Sequence, residues 1–370
     1  MSLFLHGLGH FHPENVITNR FLEELDIGTT DAWVLERVGI RERRTLLPLD
    51  YIKQTRNRDM RMAAGAMVYG NAETGRRAAE MAIARAGIDR SEIGMVISGS
   101  SAPDMVTPAE ACTIAAALGL EVPCFDVNSA CTSFHVAMHL LSMMDPEKVP
   151  RFVLSVVPEG VTRTVDYSDR TAAVLWGDGT AAAVLSTREP GRARILGNTL
   201  ESSPAGHDKV TIPRQGHFLQ EGRTVQMFAI KKTVKCYRHL RDGFAAAGRR
   251  LHFVGHQANL MMLQKVCELC EVPPELHHHN VEDFGNTAGA GSVGVLSMRW
   301  DDWTDGDDVA VAGVGAGLTW SSFLLRFGAC PAKTGVDTSG GACPAKTGVD
   351  TSGGACPAKA EVGTSGGAAS

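Results

Sequence analysis

The sequence predicts a layered α/β protein built from two similar halves, and two features indicate this fold class. Short apolar runs typical of buried strands, such as residues 94–99 and 152–157, alternate with segments of helical periodicity, such as residues 74–86. Strands that alternate with helices are typical of sheets covered by helices. In each half, a strand is followed by a tight turn and a helix of small residues that carries one polar group, as a duplicated fold would leave.

The first half, residues 1–190, predicts a series of strands and helices. Residues 4–9 favour a first strand, and Asn19 has the properties of an N-cap that opens a helix. Further elements are expected as strands at residues 94–99, 122–127 and 152–157 and helices at residues 74–86 and 108–119. Pro158 is expected to end the strand before it, and residues 173–185 predict two apolar strands joined by a Gly-Asp-Gly turn.

The second half, residues 191–327, repeats this alternation. It predicts helices at residues 225–246 and 260–270 and strands at residues 251–254, 277–280, 309–320 and 322–327. Residues 328–370 have a different composition, because a thirteen-residue segment that begins at Gly328 recurs from Gly341 and, less exactly, from Gly354. The repeat has no apolar face to bury, so we expect a disordered low-complexity tail.

Composition excludes several classes of function. The formal net charge of −5 gives no reason to expect nucleic acid or an anionic membrane as a partner, and no apolar run has the length of a membrane span. The first residues lack the features of a secretory signal, and the nine cysteines are not spaced as a disulfide framework, which favours the cytoplasm. Cys267 and Cys270 have metal-ligand spacing with the histidines at 277–279, but packing of one helix face explains them better, so we expect no metal.

Cys131 is the candidate nucleophile of the chain. It follows the strand at residues 122–127 and precedes a helix of small and apolar residues, so we expect it at a helix N-terminus. Unpaired N–H groups and the helix dipole stabilise a thiolate there, and the small residues 128–130 leave the sulfur accessible to an acyl thioester. The alternative is a small buried hydrophobe, which is the usual role of a free cysteine. His135, four residues later, fits a buried packing residue that could also influence the thiol.

Two polar residues at the ends of strands can complete such a site. His256 follows the strand at residues 251–254, and Asn286 lies in a similar loop before the next helix of small residues. Acyl transfer by cysteine needs a nucleophile, donors for the oxyanion and a group that manages the proton or the carbanion. The three residues together therefore favour catalysis over a structural role for each.

Trp33 and Arg37 lie in a segment rich in arginine, residues 31–44. One interpretation is a solvated, charged face. The other is the mouth of a site for a phosphate-bearing ligand, where the tryptophan stacks on a ring and arginine pairs with phosphate.

These motifs, taken together, resemble one known family. The segments at residues 126–131, 255–260, 285–287 and 315–320, with Trp33, Arg37 and residues 176–179, are similar to the β-ketoacyl-acyl-carrier-protein synthase III family of thiolase-like condensing enzymes. The resemblance extends in order from about residue 3 to Phe327 and leaves out only the tail. It implies the thiolase fold, with two similar halves in five αβαβα layers, and a homodimer.

The resemblance also implies roles for particular residues. Cys131 would take an acyl group from coenzyme A, and a malonyl thioester would then attack it in a decarboxylative Claisen condensation. His256 and Asn286 would polarise the malonyl carbonyl, and the N–H groups of Cys131 and Ala316 would bind the acyl oxyanion. The expected coenzyme A contacts are Trp33, Arg37, Arg170, Gly222 and Asn259. Coenzyme A thioesters are expected as substrates, with acyl carrier protein as a candidate partner and no bound cofactor.

Three departures from the family pattern favour a specialised pathway of the fatty-acid or polyketide type. Met261 replaces an arginine thought to meet the carrier protein, Arg223 follows Gly222 where asparagine is common, and Thr107 replaces a bulky residue of the acyl pocket. The main alternative is an acyltransferase that moves an acyl group to a hydroxyl or amine without condensation. A hydroxymethylglutaryl synthase relative would need a glutamate base, for which Glu110 is available.

Overall fold

A computed structural model describes residues 2–214 and 216–328. The strands are β1 (Leu3–Phe11), β2 (Asn15–Thr18), β3 (Glu42–Thr45), β4 (Ile93–Ser98), β5 (Cys124–Asp126), β6 (Phe152–Glu159), β7 (Gly179–Ser186), β8 (Ala193–Ser202), β9 (Val210–Thr211), β10 (Leu219–Gln220), β11 (Arg250–Gly255), β12 (Asp307–Gly315) and β13 (Thr319–Phe327). The helices are α1 (Asn19–Glu24), α2 (Asp31–Val38), α3 (Leu49–Thr55), α4 (Met60–Ala66), α5 (Asn71–Ala86), α6 (Glu110–Ala117), α7 (Ser133–Met143), α8 (Arg170–Ala173), α9 (Gly222–Gly243), α10 (Leu260–Cys270), α11 (Val281–Phe284) and α12 (Gly291–Met298).

Nine strands form one sheet in the order β11-β12-β13-β8-β1-β7-β6-β4-β5. In the first half, β1, β7 and β6 are antiparallel neighbours, and β6, β4 and β5 are parallel. In the second half, β8, β13 and β12 are antiparallel, and β12 and β11 are parallel. Pairing of Leu3–Leu5 with β8 joins the two halves. The boundary expected near residue 190 falls between β7 and β8.

The two halves of this sheet stack face to face with helices between them, and further helices cover the outer face of each half. Val153 belongs to an apolar cluster with side chains of α7 and α12, whereas the next residue, Leu154, packs with α5 and α6. In the second half, Val309 packs in the cluster of α7 and α12, whereas Ala310 packs with α9 and α10. Because successive side chains of a strand point to opposite faces, the clusters define five layers in the order helix, sheet, helix, sheet, helix. The expected layered α/β architecture is therefore present.

Local structure departs from the sequence predictions at the N-terminus and at Pro158. Thr18, rather than Asn19, is the N-cap of α1, because its hydroxyl accepts from the N–H of Phe21. Asn19 is buried inside the helix and donates to Asp31 Oδ1 at 2.8 Å. Pro158 lies inside β6 rather than after it. The strand tolerates proline there because the neighbouring β4 ends opposite Val156, so no strand on that side needs its missing N–H.

Three segments expected as strands differ in the structure. Residues 170–173 form α8, which Asp169 caps. Residues 174–178 form a single bridge, between Trp176 and Asn286, in place of a strand, because their apolar side chains pack in the core. The expected strand at 277–280 is reduced to a single bridge between His277 and Phe253, since α11 begins at Val281. The run 309–320 contains a turn at residues 316–318 between β12 and β13. The expected tail, apart from Gly328, lies outside the described residues.

Among the described residues, no helix combines the length and the apolar character that crossing a membrane would require.

Candidate active site

One cavity of about 490 Å³ is lined by all the residues for which the family resemblance implies a role in catalysis, in binding the oxyanion or in binding coenzyme A. Its walls include Cys131, His256, Asn286, Ala316, Trp33, Arg37, Arg170, Gly222 and Asn259. These residues come from both halves of the chain, so the cavity depends on the packing of one half against the other. Their individual roles remain predictions.

Cys131 lies in a turn that precedes α7. Ala130 and Cys131 belong to a 3₁₀ turn that ends at Thr132, and α7 begins at Ser133. Ala130 has a φ of 48°, an uncommon conformation for a residue with a side chain, and Asn128 Oδ1 accepts from its N–H at 2.9 Å. Ser133 Oγ donates to Ala130 O at 2.7 Å. The cysteine therefore lies in a hydrogen-bonded turn directly before α7, rather than in the first turn of the helix as the sequence predicted.

The turn that carries Asn286 has the same construction. Asn286 Oδ1 accepts from the N–H of Ala288 at 3.0 Å, Ala288 has a φ of 47°, and a 3₁₀ turn over Ala288–Ala290 leads into α12. Residues 128–133 read Asn-Ser-Ala-Cys-Thr-Ser, and residues 286–291 read Asn-Thr-Ala-Gly-Ala-Gly. In this correspondence Gly289 matches Cys131. Within the described residues, Asn286 Nδ2 has no hydrogen-bond partner and is free to donate to a ligand.

Burial sets the ionisation of His256 and Cys131. It lowers the pKa of His256 to about 4, so the imidazole is neutral at pH 7. Burial and the nearby charge of Glu159 raise the pKa of the Cys131 thiol, so the expectation that the helix N-terminus would favour a thiolate is not met. The reason is that desolvation penalises the thiolate more than the local backbone N–H stabilises it.

The loop between β12 and β13 packs tightly against the turn of Cys131. A methyl group on Gly315 would lie 3.1 Å from Ser129 O and 3.2 Å from Thr132 N, so glycine is required for this approach. Thr132 Oγ1 and Thr319 Oγ1 are hydrogen-bonded at 2.8 Å. These contacts fix Ala316 and Cys131 relative to each other on the cavity wall.

The mouth of the cavity carries an aromatic ring between two cations. The guanidinium groups of Arg37 and Arg170 lie 4.7 Å and 5.0 Å from the ring centre of Trp33. Arg43, from the same arginine-rich segment, instead is fully buried and donates to Val174 O and Asn19 Oδ1. The arginine-rich segment at residues 31–44 is thus neither a single solvated face nor a single binding surface, because Arg37 lies at the cavity mouth and Arg43 is buried.

Other candidate residues lie elsewhere. Glu110 is buried and accepts from Asn71 Nδ2 at 2.8 Å, and neither it nor the exposed Thr107 is among the cavity walls. His135 is buried against Gly313, and both of its ring nitrogens lack a hydrogen-bond partner in the described part of the chain. Within those same residues, no group of three or more metal-ligand side chains occurs.

Sequence reasoning missed two residues near the cavity. Asn128 shapes the cysteine turn, and it was missed because only the structure shows that residues 128–133 and residues 286–291 form equivalent turns. Glu159 is a buried carboxyl whose charge acts on Cys131. No sequence signal marks it, because it follows an apolar strand directly, where burial of an acid is not expected.

Comparison with known proteins identifies the family. Residues 125–204 match the family described as 3-oxoacyl-[acyl-carrier-protein (ACP)] synthase III, and residues 251–327 match its C-terminal region. The chain is 30% identical over 332 residues to the β-ketoacyl-[acyl-carrier-protein] synthase III of Bacillus pumilus, with 89% of this chain and 100% of that protein covered.

Solved structures agree with this match. The 3-oxoacyl-(acyl carrier protein) synthase III of Pseudomonas aeruginosa aligns with a TM-score of 0.75 at 30% identity, which covers 90% of this chain and 100% of that one. The priming β-ketosynthase of a polyketide biosynthetic pathway aligns with a TM-score of 0.74 at 26% identity, which covers 88% and 96%. The predicted thiolase fold is thereby confirmed. The chain belongs to the β-ketoacyl-acyl-carrier-protein synthase III family, whose members are condensing acyltransferases.

Proposed function

We propose that this protein loads an acyl group from coenzyme A onto Cys131 and condenses it with a malonyl thioester. The observation that carries the proposal is that Cys131, His256 and Asn286 line one cavity whose mouth holds Trp33 and Arg37. A nucleophile, two neutral hydrogen-bonding groups and a cationic entrance are what this chemistry requires.

The first step is acyl transfer to the cysteine. Trp33, Arg37 and Arg170 hold the nucleotide end of coenzyme A, and Gly222 and Asn259 contact the same substrate farther along the cavity. The sulfur of Cys131 attacks the thioester carbonyl, and the N–H groups of Cys131 and Ala316 stabilise the oxyanion. The bond from the carbonyl carbon to the sulfur of coenzyme A then breaks. Coenzyme A takes up the proton that the cysteine gave up and leaves as the thiol.

The second step is condensation with the malonyl thioester. Loss of CO₂ leaves an enolate, whose oxygen accepts hydrogen bonds from His256 and from Asn286 Nδ2. The enolate carbon forms a bond to the acyl carbonyl carbon, the bond from that carbon to the sulfur of Cys131 breaks, and the thiolate takes a proton from water. His256 is neutral at pH 7, because its pKa is lowered to about 4, and the one ring N–H of the neutral imidazole donates to the enolate oxygen.

A specialised role in fatty-acid or polyketide-type synthesis is supported by features at the edge of the site. Met261 is exposed where many relatives have an arginine for the carrier protein, and Thr107 is exposed outside the cavity. One structural relative is a priming β-ketosynthase of a polyketide pathway. We further propose that the protein is a cytoplasmic homodimer without a bound cofactor, and that acyl carrier protein delivers the malonyl group.

Asn286→Asp tests the condensation. Aspartate would place a carboxylate beside the forming enolate and repel it, whereas acyl loading on Cys131 does not involve this residue. We therefore expect the variant to load acetyl groups from acetyl-CoA but to lose release of labelled CO₂ from malonyl-CoA or malonyl carrier protein. Intact mass and CO₂ counting measure the two steps separately.

The alternative, acyl transfer without condensation, predicts a different result. His256 would then act as a general base toward an acceptor hydroxyl or amine. Absence of CO₂ release from every malonyl donor by the acylated wild type, together with acyl transfer to such an acceptor, would favour this second function.

A further inference from the structure

Glu159 is a buried carboxyl group that the proposed reaction does not use. It is the last residue of β6 and is 1% exposed. Its oxygens accept from the backbone N–H groups of Ser101 at 2.9 Å and Gly289 at 3.1 Å. The hydroxyls of Ser101 and Ser100 lie at 3.2 Å and 3.5 Å. An acid buried among four hydrogen-bonding groups is strongly held in place.

These contacts connect the two turns of the candidate site. Gly289 lies in the 3₁₀ turn after Asn286, where it corresponds to Cys131 in the other half. A methyl group on Gly289 would lie 3.0 Å from Glu159 Oε1 and 3.4 Å from the carbonyl oxygen of Ala130. The carboxyl group therefore lies behind both turns, bonded to one and close to the other.

We propose that Glu159 is a positioning residue for condensation, because it ties the turn of Asn286 to the loop after β4, directly behind the turn of Cys131. The inference rests on the proposed function, since it assigns Glu159 to the step in which Asn286 acts. The hydrogen bond between Thr132 and Thr319 supports acyl loading in the same way, because it ties the cysteine turn to the loop of Ala316. The two steps thus depend on separate ties.

The position of Glu159 has an electrostatic consequence. Burial raises the pKa of Glu159 to about 8, and above that pH the charge of its carboxylate raises the pKa of Cys131. The other ionisable groups of this region, His256 and His135, have pKa values lowered to about 4 and about 3, so they stay neutral while the thiol titrates. Removal of the carboxylate should therefore let Cys131 ionise at lower pH.

The test compares Glu159→Gln with Glu110→Gln. Glutamine keeps an acceptor for the N–H of Gly289, but its amide nitrogen cannot accept from the N–H of Ser101. Glu110 is a matched control because it is also buried and its pKa is raised to about 7, yet its side chain bonds to Asn71 and to the backbone of Asp104 instead of either turn. Ser101→Ala is a milder change, because it removes the hydroxyl bond to Glu159 at 3.2 Å and keeps the bond from the backbone N–H, and it covers the case in which Glu159→Gln does not fold.

Three quantities are measured for each variant: acetyl loading from acetyl-CoA, CO₂ release from malonyl-CoA by the acetylated enzyme, and the pH dependence of Cys131 alkylation by iodoacetamide, followed on its peptide. For Glu159→Gln we expect CO₂ release to fall about tenfold or more, while acetyl loading stays within about threefold of wild type. The alkylation profile should shift to lower pH. Ser101→Ala should lower CO₂ release by a smaller factor, and Glu110→Gln should change none of the three.

The proposal is overturned if Glu159→Gln leaves CO₂ release unchanged, or if Glu110→Gln lowers it as much. If Glu159→Gln does not fold, unchanged CO₂ release in Ser101→Ala also overturns it. A wild type that neither loads acetyl groups nor releases CO₂ would contradict the proposed function instead. In that case the alkylation profiles still decide whether Glu159 acts on the cysteine, and coincident profiles would contradict the electrostatic link.

Discussion

Cys131 is half-buried and His256 is buried, and desolvation moves their pKa values in opposite directions. The thiol is harder to ionise, whereas the imidazole stays neutral well below pH 7. Both groups therefore begin the proposed reaction uncharged. Neutral groups at Cys131 and His256 suit a substrate that must lose a carboxylate, because neither adds a positive charge that would stabilise the malonyl anion before it loses CO₂.

Replacement of Cys131 by alanine should abolish acyl loading without loss of the fold. Cys131 is partly exposed to the cavity, and the bonds that shape its turn come from Asn128, Ser133 and Thr132 rather than from its sulfur. Intact mass after incubation with acetyl-CoA measures loading, and the thermal midpoint reports the fold. Cys124→Ala is a suitable control. An acetyl adduct on Cys131→Ala would contradict the assignment.

At the scale of single residues, residue types and positions after strands predicted that Cys131, His256 and Asn286 would share one site, and the family resemblance added Ala316; all four line one cavity. The ionisation of the thiol was not predictable, because helix position is visible in a sequence and desolvation is not. Glu159 was also not predictable, because its burial and its hydrogen bonds depend on Ser101 and Gly289, which are far from it in the chain.

At the scale of secondary-structure elements, helix α2 carries the residues at the mouth of the cavity. Thr30 caps α2 through a hydrogen bond from the N–H of Trp33, which fixes the first turn of that helix. Arg37 follows Trp33 by one helical turn, so its guanidinium lies over the indole ring. The helix thus presents both groups together at the entrance.

Arg37→Ala should weaken binding of acyl-CoA more than it slows the chemistry. The exposed guanidinium is expected to pair with phosphate, and it is remote from the acyl carbon, so KM for acetyl-CoA should rise severalfold while kcat changes little. Arg41→Ala is the matched control, because Arg41 is 63% exposed and pairs with Glu282 outside the cavity. A loss in kcat with unchanged KM would assign Arg37 to the fold or the chemistry instead.

Elements with strong periodicity were predicted well, and elements defined by tertiary packing were not. The helix expected at residues 260–270 is observed with those bounds as α10. Residues 173–176 were expected as a strand because they are apolar, but their burial comes from the core around the cavity rather than from a sheet. The bridge at His277 likewise occupies the place of β5 in the second half, with room for only one pair.

Across the whole molecule, the two halves repeat both the strand order and the turn that carries Cys131 in one half and follows Asn286 in the other. The Asn-x-Ala turn occurs once in each half and is followed by a helix between the two sheet layers. Only six residues of sequence preserve the correspondence, which is too short for a repeat to be recognised before the fold is known. The sequence therefore predicted two similar halves by pattern, while the equivalence of Cys131 and Gly289 needed the structure.

The histidines that are buried or partly buried predict acid sensitivity of the whole fold. Burial lowers the pKa of His6, His10, His12, His135, His256, His277 and His278. A group whose pKa is depressed by folding stabilises the folded state above its unfolded pKa, near 6.5, and loses this contribution as the pH falls toward the folded value. Glu159, Glu110 and Asp178 act in the opposite direction, because their pKa values are raised to about 8, about 7 and about 6, but they are fewer.

We therefore expect the thermal midpoint to fall as the pH is lowered from about 6.5 to about 4.5. His135→Gln should weaken this dependence, because glutamine does not titrate, and the pKa of His135 is lowered to about 3 in the fold. The thermal midpoint of the variant minus that of wild type should therefore increase steadily as the pH falls from about 6.5 to about 4.5. His207→Gln is the control, since His207 is exposed and its surroundings change little on unfolding. Thermal melts of the three proteins at several pH values measure the effect, and a difference between His135→Gln and wild type that stays constant with pH would show that burial of this histidine does not couple folding to protonation.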